Sequence, residues 1–477
     1  MGTHEDEPSA ASIAREFSSA PLGDARRSQR LVALAEACAR APEHTLPRAL
    51  GTPKALKAGY RFLSHDAVTP SAMLQPHFAQ TALRMVETPT VVVAHDTTEF
   101  EWSTDREGLG YLRKDDHGFL AHVSLAITAD PKRRPLGVAG LHTWTRQGES
   151  RARTMTKTER RAREDKESSR WFSQVEVVHK RFGEHAALVH VMDREGDAFP
   201  LLNAMCEAGH RFVIRLARDR IVREDETCVR EKMSTLVSRA EHVFDMEVPL
   251  SARRQKGTAL PRKSLMPRDA RMATLGVQAT RAEVKKPPYV KDAPGWLELN
   301  VVRVREVDAP ADATPVEWTL LTTEPVDTLA EVCAVVEHYR ARWLIEELFK
   351  AVKTGCEYEE LQLESYDALI NALAMFLPIA WRMLFLRCIE RTESNAPASL
   401  VATPTEIDVL RFFGPKTFPR APTVRDVLLV IAGMGGYMKN KKPPGWLVLA
   451  RGLEKLTLLE AGWSGATKHP RTNVGDP

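Results

Sequence analysis

What this 477-residue chain lacks narrows it first. No run of about 18 apolar residues, the length a bilayer requires, stands out, and no charged-then-apolar leader opens the chain. Neither a membrane span nor a signal peptide is therefore expected. The six cysteines, Cys38, Cys206, Cys228, Cys333, Cys356 and Cys388, stand alone. With no C-x-x-C pair, a cysteine zinc site and a disulfide framework are both poorly supported, and a reducing cytoplasm is the expected compartment. There is no internal repeat. Charge of one sign is also scarce overall, since the net charge is only +4, which says little about partners.

The distribution of charge says more. Residues 251–291 carry eleven Lys and Arg (Arg253, Arg254, Lys256, Arg262, Lys263, Arg268, Arg271, Arg281, Lys285, Lys286, Lys291) against Asp269 and Glu283, a local +9. Residues 21–62 carry eight (Arg26, Arg27, Arg30, Arg40, Arg48, Lys54, Lys57, Arg61) against Asp24, Glu36 and Glu43, a local +5. Such surpluses suit a polyanion, although solubilising charge on loops and helices reads the same way.

The first 70 residues read as helices: "GDARRSQRLVALAEACARAP" with Asp24 as cap and a proline stop, and "TPKALKAGYRFLSH" with Thr52 as cap and Pro53 at its first position. From Pro89 the pattern turns to strands. "TVVVAHDTTEF" is a β-branched run ending at Asp96, followed by "GFLAHVSLAIT" and "LGVAGLHTWTR". A charged helical stretch, "ESSRWFSQVEVVHKRFG", leads to the short strand "AALVHVMD", ending at Asp193. Strand, strand, strand, helix, strand is the order of a ribonuclease-H-like core, in which a crossover helix returns the fourth strand parallel to an earlier one. Residues 210–325 read as a β-rich insertion with the basic tract as its loops. Thr328 and Glu331 form a capping box that starts a long helix. Beyond Gly355 the chain is helical again, with Pro378 inside one helix and a last helix near 446–460.

Asp96 and Asp193 thus sit at the carboxyl ends of apolar strands, where side chains reach solvent; a turn or cap aspartate is the plain alternative for each. Asp197 and Arg194, in "DREGD", could simply pair on the surface. The helix "YRARWLIEELFKAVKTG" discriminates better. At about 100° per residue, Tyr339, Arg342, Glu346, Lys350 and Lys353 share a stripe of roughly 80°, with Leu344, Ile345, Leu348 and Val352 opposite. Glu347 falls off the stripe, so Glu346 is the better site carboxylate. A solvated face with i,i+4 ion pairs explains the charges but not the aligned Tyr339. Two Asp and one Glu suit Mg²⁺, and a pair of ions about 3.5–4 Å apart can drive displacement at a phosphodiester. That points to phosphoryl transfer on nucleic acid.

At these residues the sequence resembles a known family, the DDE cut-and-paste transposases of the bacterial insertion-sequence-four group. "AHDTTEF" resembles its first catalytic Asp motif, "VMDREGDAF" its second, and "YRARWLIEELFKAVKTG" its Y-(2)-R-(3)-E-(6)-K signature. The resemblance implies an α/β ribonuclease-H-like catalytic core with a β-rich insertion, flanked by helical N- and C-terminal domains. Residues 1–70 would bind the transposon end, 71–390 would form the catalytic domain with its insertion at about 210–325, and 391–477 would dimerise. Asp96, Asp193 and Glu346 would be catalytic and bind two Mg²⁺ ions, with Mn²⁺ as a substitute. Tyr339, Arg342, Lys350, Lys353 and Arg215 would grip phosphates, and Arg26, Arg27 and Arg30 would contact the end sequence. Trp318 would stack on a base flipped out during hairpin formation; as a residue it reads equally as a core strand Trp. The partners implied are double-stranded DNA (terminal inverted repeats and target) and a second copy in a synaptic homodimer, with no membrane partner, in a bacterial cytoplasm at the nucleoid. Two positions depart from the pattern: Gly196 where relatives often have Ala, and Leu344 where a basic residue would be a further DNA contact. A DNA-binding inhibitor or domesticated copy without catalysis, and a hydrolytic nuclease, are the alternatives.

Overall fold

The computed structural model describes residues 13–112, 116–146, 157–225, 228–250, 252, 268–310, 313–438 and 443–468. Its helices begin where the sequence supplies caps. Asp24 accepts the Arg26 N–H at the start of α1 (Ala25–Arg40). A short α2 (Leu46–Leu50) follows. Thr52 caps α3 (Pro53–Leu63), and Thr69 caps α4 (Pro70–Met85). The prolines in these first turns cost no hydrogen bond, because the N–H groups there have no partner within the helix.

Next come β1 (Thr90–Trp102), β2 (Gly110–Tyr111), β3 (His117–Thr128), β4 (Pro135–Trp144), α5 (Lys157–Phe182), β5 (Ala187–Met192), α6 (Phe199–Glu207) and β6 (Arg211–Arg215). β1, β3 and β4 form an antiparallel meander. α5 carries the chain back so that β5 lies parallel to β1, and α6 does the same for β6 against β5. The anticipated order of strands and crossover is present. One boundary differs. β1 does not stop at Asp96 but continues to Trp102, paired with β3 throughout. Only its parallel pairing ends early, at Ala94, because β5 is six residues long while the antiparallel partner runs on.

The β-rich insertion comprises β7 (Ile221–Arg223), β8 (Glu231–Lys232), α7 (Met233–Ser238), β9 (Glu241–Leu250), β10 (Arg271–Lys285), β11 (Trp296–Val307) and β12 (Glu317–Thr322). β12 pairs antiparallel with β6, so the insertion prolongs the central sheet rather than forming a second one. Of the basic tract, Arg253, Arg254, Lys256, Arg262 and Lys263 lie outside the described residues. The chain ends in helices α8 (Leu329–Ala341), α9 (Trp343–Lys350), α10 (Tyr366–Glu393), α11 (Pro404–Phe413), α12 (Val424–Met434) and α13 (Trp446–Lys468). The capping box of Thr328 and Glu331 is formed at α8.

α10 corrects the reading of the apolar runs. By length and composition it could cross a membrane, yet 89% of its apolar window is buried inside the protein. Asn371 and Arg382 interrupt the run in sequence, which hid it. It is the axis of a core that continues from Phe17 and Leu31, through the sheet, to Leu449 and Leu456. The N-terminal helices are fastened to this axis by polar contacts. Glu16 bonds His77 Nδ1 at 2.5 Å and pairs with Arg84, whose guanidinium lies 4.2 Å from the Trp381 ring centroid. Asn371 Nδ2 donates to the carbonyls of Leu63 (2.8 Å) and Val68 (3.0 Å).

Asn371 is buried, so its loss strands two carbonyls without water. Asn371→Ala should lower the unfolding free energy by about 2 kcal/mol, read from the shift in urea midpoint. A midpoint equal to that of the unaltered chain would show that the contact does not fasten the N-terminal helices.

Candidate active site

β1 and β5 pair with a constant offset, from Thr90 opposite Ala187 to Ala94 opposite Val191. Carried two residues further, the same offset sets Asp96 level with Asp193. Residues paired across parallel strands share a face of the sheet, so both carboxylates leave the same side. Asp193 follows the last residue of β5 and caps a single 3₁₀ turn, accepting the Glu195 N–H at 2.8 Å. The turn is tight: a Cβ on Gly196 would come within 2.7 Å of Met192 Cβ, which is why glycine stands there. Asp197 does not pair with Arg194 on the surface. It is buried, pairs with Arg220 at 2.5 Å and accepts the Ala217 N–H at 2.7 Å, tying the turn to the chain after β6.

The third carboxylate comes from the helix. The stretch 339–355 is not one uniform helix. Hydrogen bonds from Arg342 to Tyr339 (3.2 Å) and from Ile345 to Arg342 (3.1 Å) tighten it where α8 meets α9. A π turn over Ala351–Gly355, closed by the Cys356 N–H on the Ala351 carbonyl at 2.9 Å, loosens it beyond Lys350. Such irregularities inside helices frequently accompany functional sites. Leu344, Ile345, Leu348 and Val352 are buried, as the helical phase requires. For Leu344 this has a consequence: a core residue presents nothing to DNA.

Arg342 joins the elements. Its Nη1 donates to Asp96 Oδ2 at 3.0 Å and its Nη2 to Glu346 Oε1 at 2.5 Å, and the residue is only 8% exposed. Asp96 also accepts the Thr97 N–H at 2.9 Å. Burial pushes the Asp96 carboxyl up to about 6; Arg342 opposes the shift, while Asp193 and Glu346 add to it. Burial works against the charge of Arg342, but Asp96, Tyr339, Glu346 and Asp193 outweigh it and hold the guanidinium protonated. Glu347, by contrast, turns away to pair with Arg391 of α10 at 3.1 Å. The structure thus separates the two neighbouring glutamates as the phase argument did.

The other candidate residues fall into two groups. Near the carboxylates, Tyr339 is 6% exposed, with its ring 5.5 Å from that of half-buried Trp318 on β12. Arg215, at the end of β6, donates to the Glu317 carbonyl at 2.9 Å. Lys353 donates to the Glu99 carbonyl and to Glu359 at 3.1 Å. Lys350 is exposed, 4.9 Å from the Trp343 ring. Of the four polar residues expected to grip phosphate from this helix, Lys350 alone faces open solvent here; Arg342 and Lys353 are turned inward onto acceptors. The second group sits apart on α1. Arg26 and Arg30 are exposed, Arg26 pairing with Asp24 at 3.1 Å, while Arg27 braces the Leu22 carbonyl at 2.8 Å. Sequence spacing did not find Glu359, because the π turn decides what Lys353 reaches, nor Asp197 as a buried brace.

Three carboxylates from three elements, partly buried around one guanidinium, make a donor set of hard oxygens that fits Mg²⁺ or Mn²⁺. Arg342 already answers part of the negative charge of this set through its bonds to Asp96 and Glu346.

Two family descriptions match the chain: transposase DNA-binding over residues 9–68, and transposase DDE domain over residues 109–377, more than half of its length. Asp193 and Glu346 lie within the second match and Asp96 ahead of it; Arg26, Arg27 and Arg30 lie within the first.

Arg342 is the group that restrains the Asp96 carboxyl, so Arg342→Gln should move its titration upward from about 6. Carboxyl ¹³C titration of aspartate-labelled protein checks this, with Asp96→Asn assigning the signal. An unchanged or lower midpoint would contradict the charge arrangement.

Proposed function

Because the chain belongs to the DDE transposase family, enzymes that act on DNA and generally use divalent metal ions, we propose that it cuts a transposable element from DNA and joins its 3′ ends to a target. Within that family its motifs resemble those of the insertion-sequence-four group and its Tn-five transposase. The observation that carries the reading is the Arg342 bridge between Asp96 and Glu346, with Asp193 set level with Asp96 by the strand offset. Three carboxylates widely separated in sequence meet on a ribonuclease-H-like arrangement of strands, inside a chain that also matches a transposase DNA-binding description.

Asp96, Asp193 and Glu346 would hold two Mg²⁺ ions, with Mn²⁺ as a substitute. Bound there, the ions supply Lewis-acid activation of the attacking hydroxyl and stabilise the departing oxygen. The remaining work falls to the chain. Once its carboxylates are otherwise neutralised, Arg342 is free to turn its planar fork toward a phosphate, which it matches bidentately. Lys350 and Lys353 neutralise flanking phosphates from the same helix, and Arg215 steadies the edge of the insertion. The buried wall of Tyr339, Leu344 and Ile345 keeps the carboxylate helix seated against the sheet.

The proposed sequence is a nick by water at the element's end, attack of the freed 3′-OH on the opposite strand to close a hairpin, hydrolysis of that hairpin, and attack on target DNA. Trp318 stacks on the base displaced while the hairpin closes, near the ring of Tyr339. Residues 1–70 bind the terminal inverted repeat, with Arg26, Arg27 and Arg30 at the contact. Residues 71–390 catalyse, and 391–477 bring two copies together as a synaptic homodimer. The setting is the bacterial cytoplasm, at the nucleoid.

A labelled linear duplex carrying the element's ends, incubated with protein and Mg²⁺, tests the whole. Hairpin-ended or excised fragments are expected; binding without strand cleavage would refute the catalytic reading. Glu346→Ala should remove cleavage, by 10³-fold or about that order, and leave end binding intact. Glu347→Ala should lower thermal stability modestly, because it removes the ion pair with Arg391, while sparing the chemistry of the folded fraction. Equal loss of cleavage from both would reject the division of roles. Trp318→Ala should preserve the first nick and reduce hairpin yield, and an undiminished yield would remove Trp318 from that step.

A further inference from the structure

On the opposite face of the sheet from Asp96 and Asp193 lies a layer of histidines that the proposed chemistry does not use. His95 Nε2 meets His190 Nδ1 at 2.9 Å, and His95 Nδ1 meets Ser124 Oγ at 3.0 Å. Beyond His190 come His210, just ahead of β6, and His179, in the last turn of α5. Their rings are close: 4.5 Å between the centroids of His179 and His210, and 5.7 Å between His190 and His210. One ring nitrogen from each of His179, His190 and His210 lies within 4.8 Å of the other two. His190 Nε2 and His210 Nδ1 are buried with no hydrogen-bond partner among the described residues, although each residue is more than nine-tenths buried. Leaving two imidazole nitrogens unpaired inside a protein is costly, and a ligand for them removes that cost.

We propose that His179, His190 and His210 form a binding site for one Zn²⁺ ion, separate from the carboxylate site and independent of the transposase reading. Three imidazoles are borderline-soft nitrogen ligands, which favour zinc over Mg²⁺. The surroundings match those of a metal-binding histidine set. His210 Nε2 bonds Glu176, and His190 Nδ1 bonds His95, so the second nitrogen of each ring is oriented by an outer partner. His179 is exposed and Glu176 half-exposed, which gives an entry path and leaves a fourth position for water. A tetrahedral centre wants the nitrogens roughly 3.3 Å apart, so the three rings would draw together on binding. The ion would staple α5, β5 and the start of β6 behind the strand that carries Asp96.

The test uses full-length protein stripped with EDTA, in an Asp96→Asn/Glu346→Gln background that removes the carboxylate site. One equivalent of Zn²⁺ should bind and raise Tm, Mg²⁺ should do neither, and Co²⁺ should give the visible absorption of a tetrahedral ion. Adding His179→Ala, a change at an exposed position that the fold tolerates, should weaken Zn²⁺ binding about 100-fold and remove the rise in Tm. His44→Ala, which disables the other cluster of possible ligands at Glu43, His44 and Glu454, should leave both unchanged. Absence of a Zn²⁺-dependent rise, affinity undiminished by His179→Ala, or loss on His44→Ala instead would each overturn the proposal.

Discussion

The arrangement depends on the parallel pairing of β1 with β5. Its offset of 97 residues, from Thr90 opposite Ala187 onward, is what makes Asp96 and Asp193 neighbours. A slip of one residue would send one carboxylate to the opposite face, among the histidines. The offset is held by the burial of Val91, Val92, Val93, Val189 and Val191, all fully excluded from solvent, so the apolar ladder beneath the site fixes the polar pair above it. The early end of β5 matters equally. It lets the chain turn at Asp193 while β1 continues on β3, so one carboxylate sits on a turn and the other on a supported strand.

Arg342 then resolves the electrostatic problem that this convergence creates. Burial displaces the Asp96 carboxyl upward, and Asp193 and Glu346 add a smaller repulsion to it. A guanidinium with two forked bonds relieves that repulsion without closing the site to a stronger cation. Under the proposed function the same group would serve the folded protein and its substrate in turn, since carboxylate and phosphate present similar acceptor geometry. Tyr339 and Trp318 extend this coupling into the insertion, because the sheet that contains β1 and β5 is continuous with β12.

Much of this was legible in the sequence where local rules apply. Thr52, Thr328 and Asp24 marked helix starts because an unpaired first-turn N–H needs an acceptor nearby. Helical phase distinguished Glu346 from Glu347, and the structure places the latter against Arg391. Non-local effects were not legible. Asp96 read as a strand end because the apolar run stops there, whereas the strand persists on the strength of β3 alone. α10 escaped notice as an apolar span because Asn371 and Arg382 break the run, although both are accommodated by specific partners. The histidine layer was invisible because His179, His190 and His210 have no ligand-like spacing; a crossover helix and two parallel strands bring them together.

The π turn at Ala351–Gly355 has a consequence for how this protein can diverge. A π turn is an α-helix carrying one residue more than the regular repeat needs. Losing a residue there would leave a continuous helix in place of a broken one, and so would do little to secondary structure. The residues on either side would keep their phase, because the turn absorbs the surplus residue, and only Lys353, inside the turn, would lose its reach to Glu99 and Glu359. A one-residue loss here would therefore be tolerated by the fold and felt through Lys353, the one polar side chain of the stripe that lies inside the turn.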